Sequence, residues 1–182
     1  MPVFVYTNGD CAELFLNGKS LGKQCKNPKS NKSIERFRVM WNDVIYAPGE
    51  LKAVAYKEGK QIGEAQVKTA NEPYRIKLSP DRNVIKADGM DLSYILIEAF
   101  DRDGNLCPLA YNQIEIKLDG PAHIAGVGNG NPQSFSPFKS NTVKLFYGKA
   151  MLIVGSGLKS GKVKISASSN GLKTGRTQIK IK

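Results

Sequence analysis

Short runs in which apolar and polar residues alternate occur along the whole chain. In "KVKIS" and "QIKIK" lysines alternate with aliphatic residues, namely Lys162, Val163, Lys164, Ile165 and then Ile179, Lys180, Ile181, Lys182. A period of two directs successive side chains to opposite faces of a β-strand. We therefore predict strands whose aliphatic side chains enter a core. Their lysines would form a solvated face or a face docked on another domain.

The first part of the chain predicts a small all-β unit that ends near Thr69. The runs "VFVYT" and "AELFLNG" favour strands, and Asn17-Gly18 and the segment around Glu58-Gly59 favour tight hairpin turns. The polar run "NPKSNKS" predicts an exposed loop. The alternating run "ERFRVMW" predicts a further strand, with Phe37, Val39 and Trp41 on one face and Trp41 in the core.

The second part, from "YRIKLSP" onward, predicts a larger β unit. The run "DLSYILIEAF" is apolar on both parities, which is typical of a central strand covered on both faces. Roughly seven short strands follow one another with a turn signal about every ten residues, the pattern of an immunoglobulin-like sandwich. No stretch longer than a turn or two has the period of a helix.

The two parts meet at "ANEPYR". Proline in this stretch biases the residue before it, Glu72, toward extended backbone and stiffens the joint. We predict an interdomain linker here. The predicted fold class is thus all-β with two consecutive β-sandwich domains, a small one over 1–72 and an immunoglobulin-like one over 73–182.

Composition adds a strongly basic character to the chain, which has 182 residues and a net charge of +11. After Asp119 no acidic residue occurs, whereas ten basic ones do. Such asymmetry can indicate nucleic acid or an acidic partner surface. Stacking aromatics are missing among these cations, so we expect no nucleic acid. No apolar run approaches the ~20 residues of a membrane span, and we expect no membrane contact. Because Met1-Pro2 leads almost directly into "VFVYT", we expect the start to be a cut inside a longer protein, which leaves the compartment unreadable.

The cysteine and histidine counts limit metal and redox chemistry. Cys11, Cys25 and Cys107 are odd in number and lack C-x-x-C spacing, so we expect free, partly buried thiols and no disulfide framework. With His123 as the single histidine, no zinc site can be assembled. We predict no metal and no cofactor.

Catalytic arrangements are likewise not predicted. A nucleophilic Ser or Cys needs a positioned base, and His123 lies among small and apolar residues in "PAHIAGV", as a core or edge histidine would. Asp101 and Asp103 in "DRDGN" imitate the start of a calcium loop, but the later ligand positions do not fit, so a turn is favoured. The carboxylates of a glycosidase pair face each other at roughly 5–10 Å, whereas the sixteen acids here are scattered over turns and outward strand positions, and the pattern places no two of them together in a pocket.

Four segments carry a resemblance to a known family: "YTNGDCAELFLNGKSLG", "WNDVIYAPGELKAVAY", "KTANEPYRIKLSPDR" and "IKADGMDLSYILIEAFDRDGNLCPLAYNQIEIKLDGPAHIAGVGNGNP". Together they resemble the C-terminal accessory region of family 2 glycoside hydrolases. The resemblance is to the β-galactosidase type of gut Bacteroidetes and covers nearly the whole chain. It implies β-sandwich domains that follow a (β/α)₈ catalytic barrel, the second similar to bacterial immunoglobulin-like modules. It also implies a periplasmic or secreted parent that hydrolyses β-glycosidic bonds, with the barrel and N-terminal domains as partners.

The resemblance also decides how Glu72 is interpreted. The family's acid/base is the Glu of an Asn-Glu pair on a barrel strand, which Asn71-Glu72 imitates. However, this pair aligns with the "TA-x-x-P" joint between accessory domains, and the barrel is absent from the sequence. The resemblance implies that Glu72 is a linker acid and that this chain alone does not hydrolyse a glycoside.

Three functional hypotheses remain. The favoured one is a non-catalytic accessory segment that packs on the barrel. In the second, a loop contacts carbohydrate, with Asn129 and Asn131 bonding hydroxyls and Phe135 stacking on a sugar, although a simple Gly/Asn turn also explains that loop. A surface around Trp41 and Tyr46 is a weaker candidate. The third hypothesis is a stand-alone adhesin or stalk module. The parent's substrate, a galactoside, a glucuronide or another β-glycoside, stays open.

Overall fold

β-Strands form nearly all regular structure in the computed structural model, which describes residues 1–182. The chain divides into two compact units, Met1–Thr69 (unit 1) and Ala70–Lys182 (unit 2). Each unit is built of two sheets, so the predicted all-β fold with two consecutive sandwich units is confirmed. The domain ranges 1–72 and 73–182 stay a prediction. No helix has the length and hydropathy needed to cross a membrane.

Unit 1 packs a two-stranded sheet against a four-stranded one. Its elements are β1 (Val3–Val5), β2 (Cys11–Leu16), β3 (Lys19–Cys25), α1 (Ser33–Phe37), β4 (Val39–Trp41), β5 (Glu50–Lys57) and β6 (Lys60–Lys68). The strand orders are β1-β4 and β3-β2-β5-β6. The core between them is small and consists of Ala12, Leu14, Val39, Trp41 and Val44. The expectation that Trp41 is a core residue is confirmed.

Both predicted hairpins are present. The β2–β3 turn has Asn17 at φ 51° and Gly18 at φ 79°, and the β5–β6 turn has Glu58 at φ 50° and Gly59 at φ 79°. Positive φ at both central residues is the type I′ geometry, whose twist matches that of the paired strands. The Asn17 side chain adds a long-range tie, because its Oδ1 accepts a hydrogen bond from the Glu50 N–H at 2.8 Å.

The strand predicted for "ERFRVMW" is correct only in its second half. Residues Ser33–Phe37 form the short helix α1, and Phe37 is exposed instead of sharing the inward face of Val39 and Trp41. The helix is held by Glu35, whose carboxylate accepts from the Ser30 hydroxyl at 2.6 Å. These local bonds outweigh an alternation that spans only a few residues.

The expectation of three free thiols is wrong for two of them. Cys11 in β2 lies directly opposite Cys25 in β3, and the two form a disulfide. A hairpin that turned at Asn17-Gly18 without irregularity would place Cys11 opposite Gln24. A bulge shifts the register by one residue between Glu13 and Phe15, which brings the two cysteines together. Spacing rules cannot reveal a pairing that depends on such a bulge.

Unit 2 is a sandwich of two sheets built from β7 (Arg75–Pro80), β8 (Val84–Ile85), β9 (Leu92–Phe100), β10 (Gln113–Asp119), β11 (Ala122–Gly128), β12 (Thr142–Lys144), β13 (Lys149–Ser156), β14 (Gly161–Ser168) and β15 (Gly175–Ile181). Sheet I has the order β11-β13-β9-β7 and sheet II the order β12-β10-β14-β15-β8. All pairs are antiparallel except β15 with β8. The core includes the fully buried side chains Ile95, Ile97, Ile114, Leu152, Val163 and Ile165.

The prediction that "DLSYILIEAF" is covered on both faces holds for one face only. The strand β9 lies inside sheet I, and its inward residues Ser93, Ile95, Ile97 and Ala99 are completely buried. On its outward face Tyr94 remains 42% exposed. Apolar residues on both parities therefore indicate an outward apolar surface that no element of unit 2 covers.

Candidate functional site

The predicted sugar-contact residues lie in the loop that joins β11 to β12, here called the Asn-Gly loop (129–141). The loop borders a pocket of about 260 Å³ whose lining includes Asn129, Asn131, Ser134 and Phe138. Gly130 adopts φ 73°, in the left-handed region that favours glycine. The structure thus brings Asn129 and Asn131 to one pocket, as the sugar-contact hypothesis requires.

Three of the four polar groups on the two asparagine side chains bond within the protein. The Asn129 Nδ2 donates to the Lys144 carbonyl at 2.9 Å, and its Oδ1 accepts from the Asn131 N–H at 3.0 Å. The Asn131 Oδ1 accepts from the Gln133 N–H at 3.0 Å. The two bonds from backbone N–H groups are the local side-chain bonds of Asx turns, whereas the bond to Lys144 fastens the loop to β12. The Nδ2 of Asn131 makes no hydrogen bond within the protein and is the group left to meet a ligand.

The aromatic residue at this pocket is Phe138, whereas Phe135 does not line it. Phe135 is fully exposed, while Phe138 lines the pocket and is 75% exposed. The Phe138 ring lies beside Gly128, where an added Cβ would be 3.8 Å from its Cε1. The missing side chain of Gly128 leaves room for this ring, and that glycine is the signal in the sequence that could have indicated it.

The seam residues Asn71 and Glu72 have different structural roles. The Asn71 N–H donates to the Asp101 Oδ2 at 3.0 Å, and its Nδ2 donates to the Asp103 Oδ2 at 3.2 Å. Glu72 is exposed and makes no hydrogen bond or ion pair. The stretch is therefore fastened to the "DRDGN" turn through Asn71, while the Glu72 carboxylate points to no partner.

Asp101 is a buried carboxylate that organises this turn. Besides Asn71, its oxygens accept the Asn105 N–H at 2.7 Å and the Asn105 Nδ2 at 3.0 Å. The Asn71 N–H, followed by the Asn105 groups, holds the pKa of Asp101 at about 2, below its ordinary 3.8, against the opposing effect of burial. No group of three or more His, Cys, Asp or Glu side chains is arranged to hold a metal ion. The carboxylate is used to fix a turn.

The remaining candidate nucleophile, Cys107, and candidate base, His123, are not arranged for catalysis. Cys107 is buried; its burial, together with the Asp101 and Glu72 carboxylates, raises the pKa of the thiol. Such a cysteine stays protonated and unreactive. His123 lies on β11, at the edge of sheet I, with its ring against Gly155. It makes no hydrogen bond with any Ser or Cys.

Two family models match this chain. Residues 76–178 match glycoside hydrolase family 2 C-terminal domain 5, and residues 1–63 match a domain family of unknown function (DUF4982). The chain is therefore part of a carbohydrate-active protein class. It belongs to glycoside hydrolase family 2 and corresponds to the C-terminal region of that family.

Individual relatives agree with this assignment. The chain is 40% identical to the β-galactosidase BoGH2A of Bacteroides ovatus, over 92% of the chain and 19% of that protein. It is 28% identical to a β-glucuronidase of Formosa agariphila, over 94% of the chain and 17% of that protein. A crystal structure of a family 2 member from Bacteroides cellulosilyticus superposes with a TM-score of 0.90 at 40% identity, over 100% of this chain and 23% of that one. The chain thus spans about a fifth of the length of these relatives.

Proposed function

We propose that this chain is the non-catalytic C-terminal part of an enzyme that hydrolyses a β-glycosidic bond in carbohydrate breakdown. The observation that carries the proposal is the alignment of nearly the whole chain with only 19% of a β-galactosidase. The local chemistry supports it. Asp101 is committed to a turn, Cys107 is a buried thiol, and Glu72 is exposed and has no partner.

The proposed role is to pack on the catalytic barrel through the outward face of sheet I. Leu96 lies opposite Met151, and Tyr94 lies opposite Ile153, in neighbouring strands. These four residues form the outer patch. Three of them are half-buried and Tyr94 is exposed, so the patch leaves apolar surface uncovered within unit 2. Covering such surface with another domain would stabilise both.

Turnover tests the non-catalytic assignment directly. The purified chain is incubated with nitrophenyl β-galactoside and nitrophenyl β-glucuronide, and released nitrophenol is measured. We expect no rate above buffer, and the same result for Glu72→Gln. Clear turnover that Glu72→Gln abolishes would overturn the assignment and make Glu72 a working carboxylate.

A charge placed in the outer patch tests the packing role. We expect Ile153→Lys to lower the stability of the full-length enzyme by about 2 kcal/mol, because an apolar contact is lost and a charge is buried. The same substitution should cost clearly less in the isolated 182-residue chain, where Ile153 is only half-buried. Ser168→Lys, at a half-buried outward position of sheet II, is the matched control. Equal effects of Ile153→Lys in both contexts would contradict packing through this patch.

A second candidate role is contact with carbohydrate through the Asn-Gly loop. It is favoured by the Asn131 Nδ2, which lacks a protein partner beside a pocket that Phe138 lines. An aromatic face next to an amide donor suits a sugar ring and its hydroxyls. Asn129 supplies the turn that positions Asn131. Phe135, the aromatic residue predicted from the sequence, would offer an alternative stacking surface outside the pocket.

Calorimetric titration with galactose and short galacto-oligosaccharides tests this second role. We expect binding no tighter than millimolar for a loop on its own. Loss of that binding in Asn131→Ala and in Phe138→Ala, but not in the exposed control Phe135→Ala, would place the sugar in the pocket. Loss of binding in Phe135→Ala alone would place the sugar outside the pocket. If wild type binds no sugar at all, the loop has only a structural role as a turn and the sugar-contact role is rejected.

The compartment proposed for the parent enzyme is the periplasm or the cell exterior. The Cys11–Cys25 disulfide supports this, since disulfides form and persist in oxidising environments. Thiol labelling of the protein isolated from its natural host tests it. After unfolding and mapping of the labelled peptides, we expect label on Cys107 but not on Cys11 or Cys25, and label on all three if the protein resides in a reducing compartment.

A further inference from the structure

The outward face of sheet II carries a dense set of cations. Lys162 and Lys164 alternate with buried residues along β14, and Arg176 and Lys180 do so along β15. The strands are paired so that Lys162 lies directly opposite Lys180. These four residues are called the cationic face. Side chains on adjacent strands are ~5 Å apart and alternate residues along a strand ~7 Å apart, so the charges form a continuous array.

The charges of this array are only partly offset within the protein. None of the four residues makes an ion pair. On the neighbouring β10, Asp119 lies directly opposite Lys164, and Lys117 has an exposed contact with Glu115 at 3.5 Å. Asp119 is the last acidic residue in the sequence, so β14 and β15 contain none. Like charges held this close raise the local potential and favour an anionic ligand.

The shape of the surface agrees with an extended ligand. A shallow depression of about 620 Å³ crosses β10, β14 and β15, and its lining includes three cations, Lys117, Lys164 and Arg176, and one acid, Asp119. Arg176 lies opposite Ser166, which in turn lies opposite Lys117, so one row of the depression runs across three strands. A chain laid along this row would meet a cation on the first and third strands.

We propose that the cationic face binds an acidic polysaccharide, a glycan chain that carries carboxylate groups. The inference rests on membership of a glycoside hydrolase family and does not depend on the packing role of sheet I. A protein partner fits poorly, because interface cores are apolar and depleted in lysine, and no outward side chain of β10, β14 or β15 is apolar. Single-stranded nucleic acid fits poorly too, because no outward residue of these strands is aromatic.

Binding of polygalacturonate to the 182-residue chain tests the proposal, with neutral dextran of similar length as the comparison. We expect binding at 50 mM salt and none to dextran. Four cations that each displace counterions, at ~0.7 per charge for a flexible polyanion, predict affinity on the order of 50-fold weaker at 200 mM salt. A DNA duplex is the third probe.

Two variants with the same change in net charge locate the site. The triple variant Lys162→Gln, Lys164→Gln, Arg176→Gln should reduce the salt effect to about threefold, because one cation of the four remains. The control replaces three exposed lysines elsewhere in unit 2, Lys77→Gln, Lys139→Gln, Lys159→Gln, and should bind as wild type does. Equal losses in both variants, no binding to polygalacturonate at 50 mM salt, or tighter binding to the DNA duplex would each overturn the proposal.

Discussion

Unit 1 and unit 2 are both β-sandwiches, but they are stabilised differently. In unit 1 the core consists of five buried residues, including Leu14 and Trp41, and the Cys11–Cys25 disulfide joins β2 to β3. Unit 2 has a much larger core between sheets I and II, and its one cysteine, Cys107, is a thiol. A small fold buries a smaller share of its surface than a large one, so a covalent cross-link matters more to it.

The comparison indicates where each unit is vulnerable. In unit 1 each core residue contributes a large part of the small buried core, and the disulfide adds to the stability that this core provides. In unit 2 the aliphatic core is redundant, and the buried groups that depend most on specific partners are polar, above all Asp101. Four predictions test this contrast, beginning with the largest expected effect.

Truncating one core leucine in each unit should have unequal consequences. Leu14→Ala and Leu152→Ala both remove a fully buried side chain, at a cost of about 2–5 kcal/mol each. A core as small as that of unit 1 rarely supplies more than ~3–5 kcal/mol, so we expect Leu14→Ala to unfold unit 1 and Leu152→Ala to leave unit 2 folded. Amide hydrogen exchange in β2 and in β9 measures this. Persistent protection of β2 in Leu14→Ala would contradict the contrast, and exposed Val67→Ala is the control.

Removing the disulfide should weaken unit 1 selectively. The cysteines are separated by 14 residues, and a loop of about this size predicts a loss of about 3 kcal/mol in Cys11→Ala, Cys25→Ala. Trp41 is the single tryptophan and lies in the core of unit 1, so its fluorescence during denaturant unfolding reports on this unit. A reducing agent should shift the wild-type curve similarly and leave that of the double variant unchanged. An unshifted curve would show that the cross-link is dispensable.

Unit 2 should lose stability in acid through Asp101. Its folded pKa of about 2 lies below the ordinary 3.8, so its stabilising effect is complete above about 4 and is lost as the pH falls toward 2. We expect Asp101→Asn to be less stable than wild type at pH 7 and to show a flatter decline between pH 4 and 2. Unfolding followed by circular dichroism across this range measures it. Asp119→Asn, at an exposed position, should retain the wild-type profile.

The smallest expected effects come from one ion pair in each unit. In both Lys68–Glu50 and Lys149–Glu98 the Nζ and the carboxylate oxygen are 3.3 Å apart, but the Glu98 side chain is 13% exposed and that of Glu50 33%. We expect Lys149→Gln to cost up to about 1 kcal/mol and Lys68→Gln less, because solvent screens the more exposed pair. Raising the salt concentration should remove more of the Lys68→Gln difference. The reverse order would contradict this account.

Much of the fold could be predicted because alternation and turn chemistry act locally. Asn17-Gly18 and Glu58-Gly59 favour tight hairpin turns locally, and aliphatic residues at alternate positions of β14 and β15 favour their buried faces. The disulfide could not be predicted, since it depends on a one-residue bulge in the register of β2 with β3. The helix α1 was missed because the bond between Ser30 and Glu35 leaves no periodic signal.

The candidate site could be predicted in part. The sequence indicates Asn129 and Asn131 as loop residues with free polar groups, but only the structure shows that two of those groups bond the loop itself and a third bonds Lys144 in β12. The sequence prediction named Phe135 as the stacking residue, whereas Phe138 lines the pocket. Which of them lines the pocket depends on how the loop crosses β11, and this is a tertiary property. The sugar-contact role of Asn129, Asn131 and Phe135 stays a prediction.

The bond from the Asn71 N–H to Asp101 determines where this protein can be divided for engineering. A graft of the larger sandwich onto another enzyme should begin before Ala70, so that the Asn71 peptide travels with the aspartate that receives its hydrogen. A cut after Glu72 would remove the Asn71 N–H and leave the buried Asp101 carboxylate without one of its hydrogen-bond donors. When such enzymes are recombined domain by domain, we therefore expect the larger sandwich to keep its stability if the crossover lies N-terminal to Asn71 and to lose stability if it lies C-terminal to Asn71.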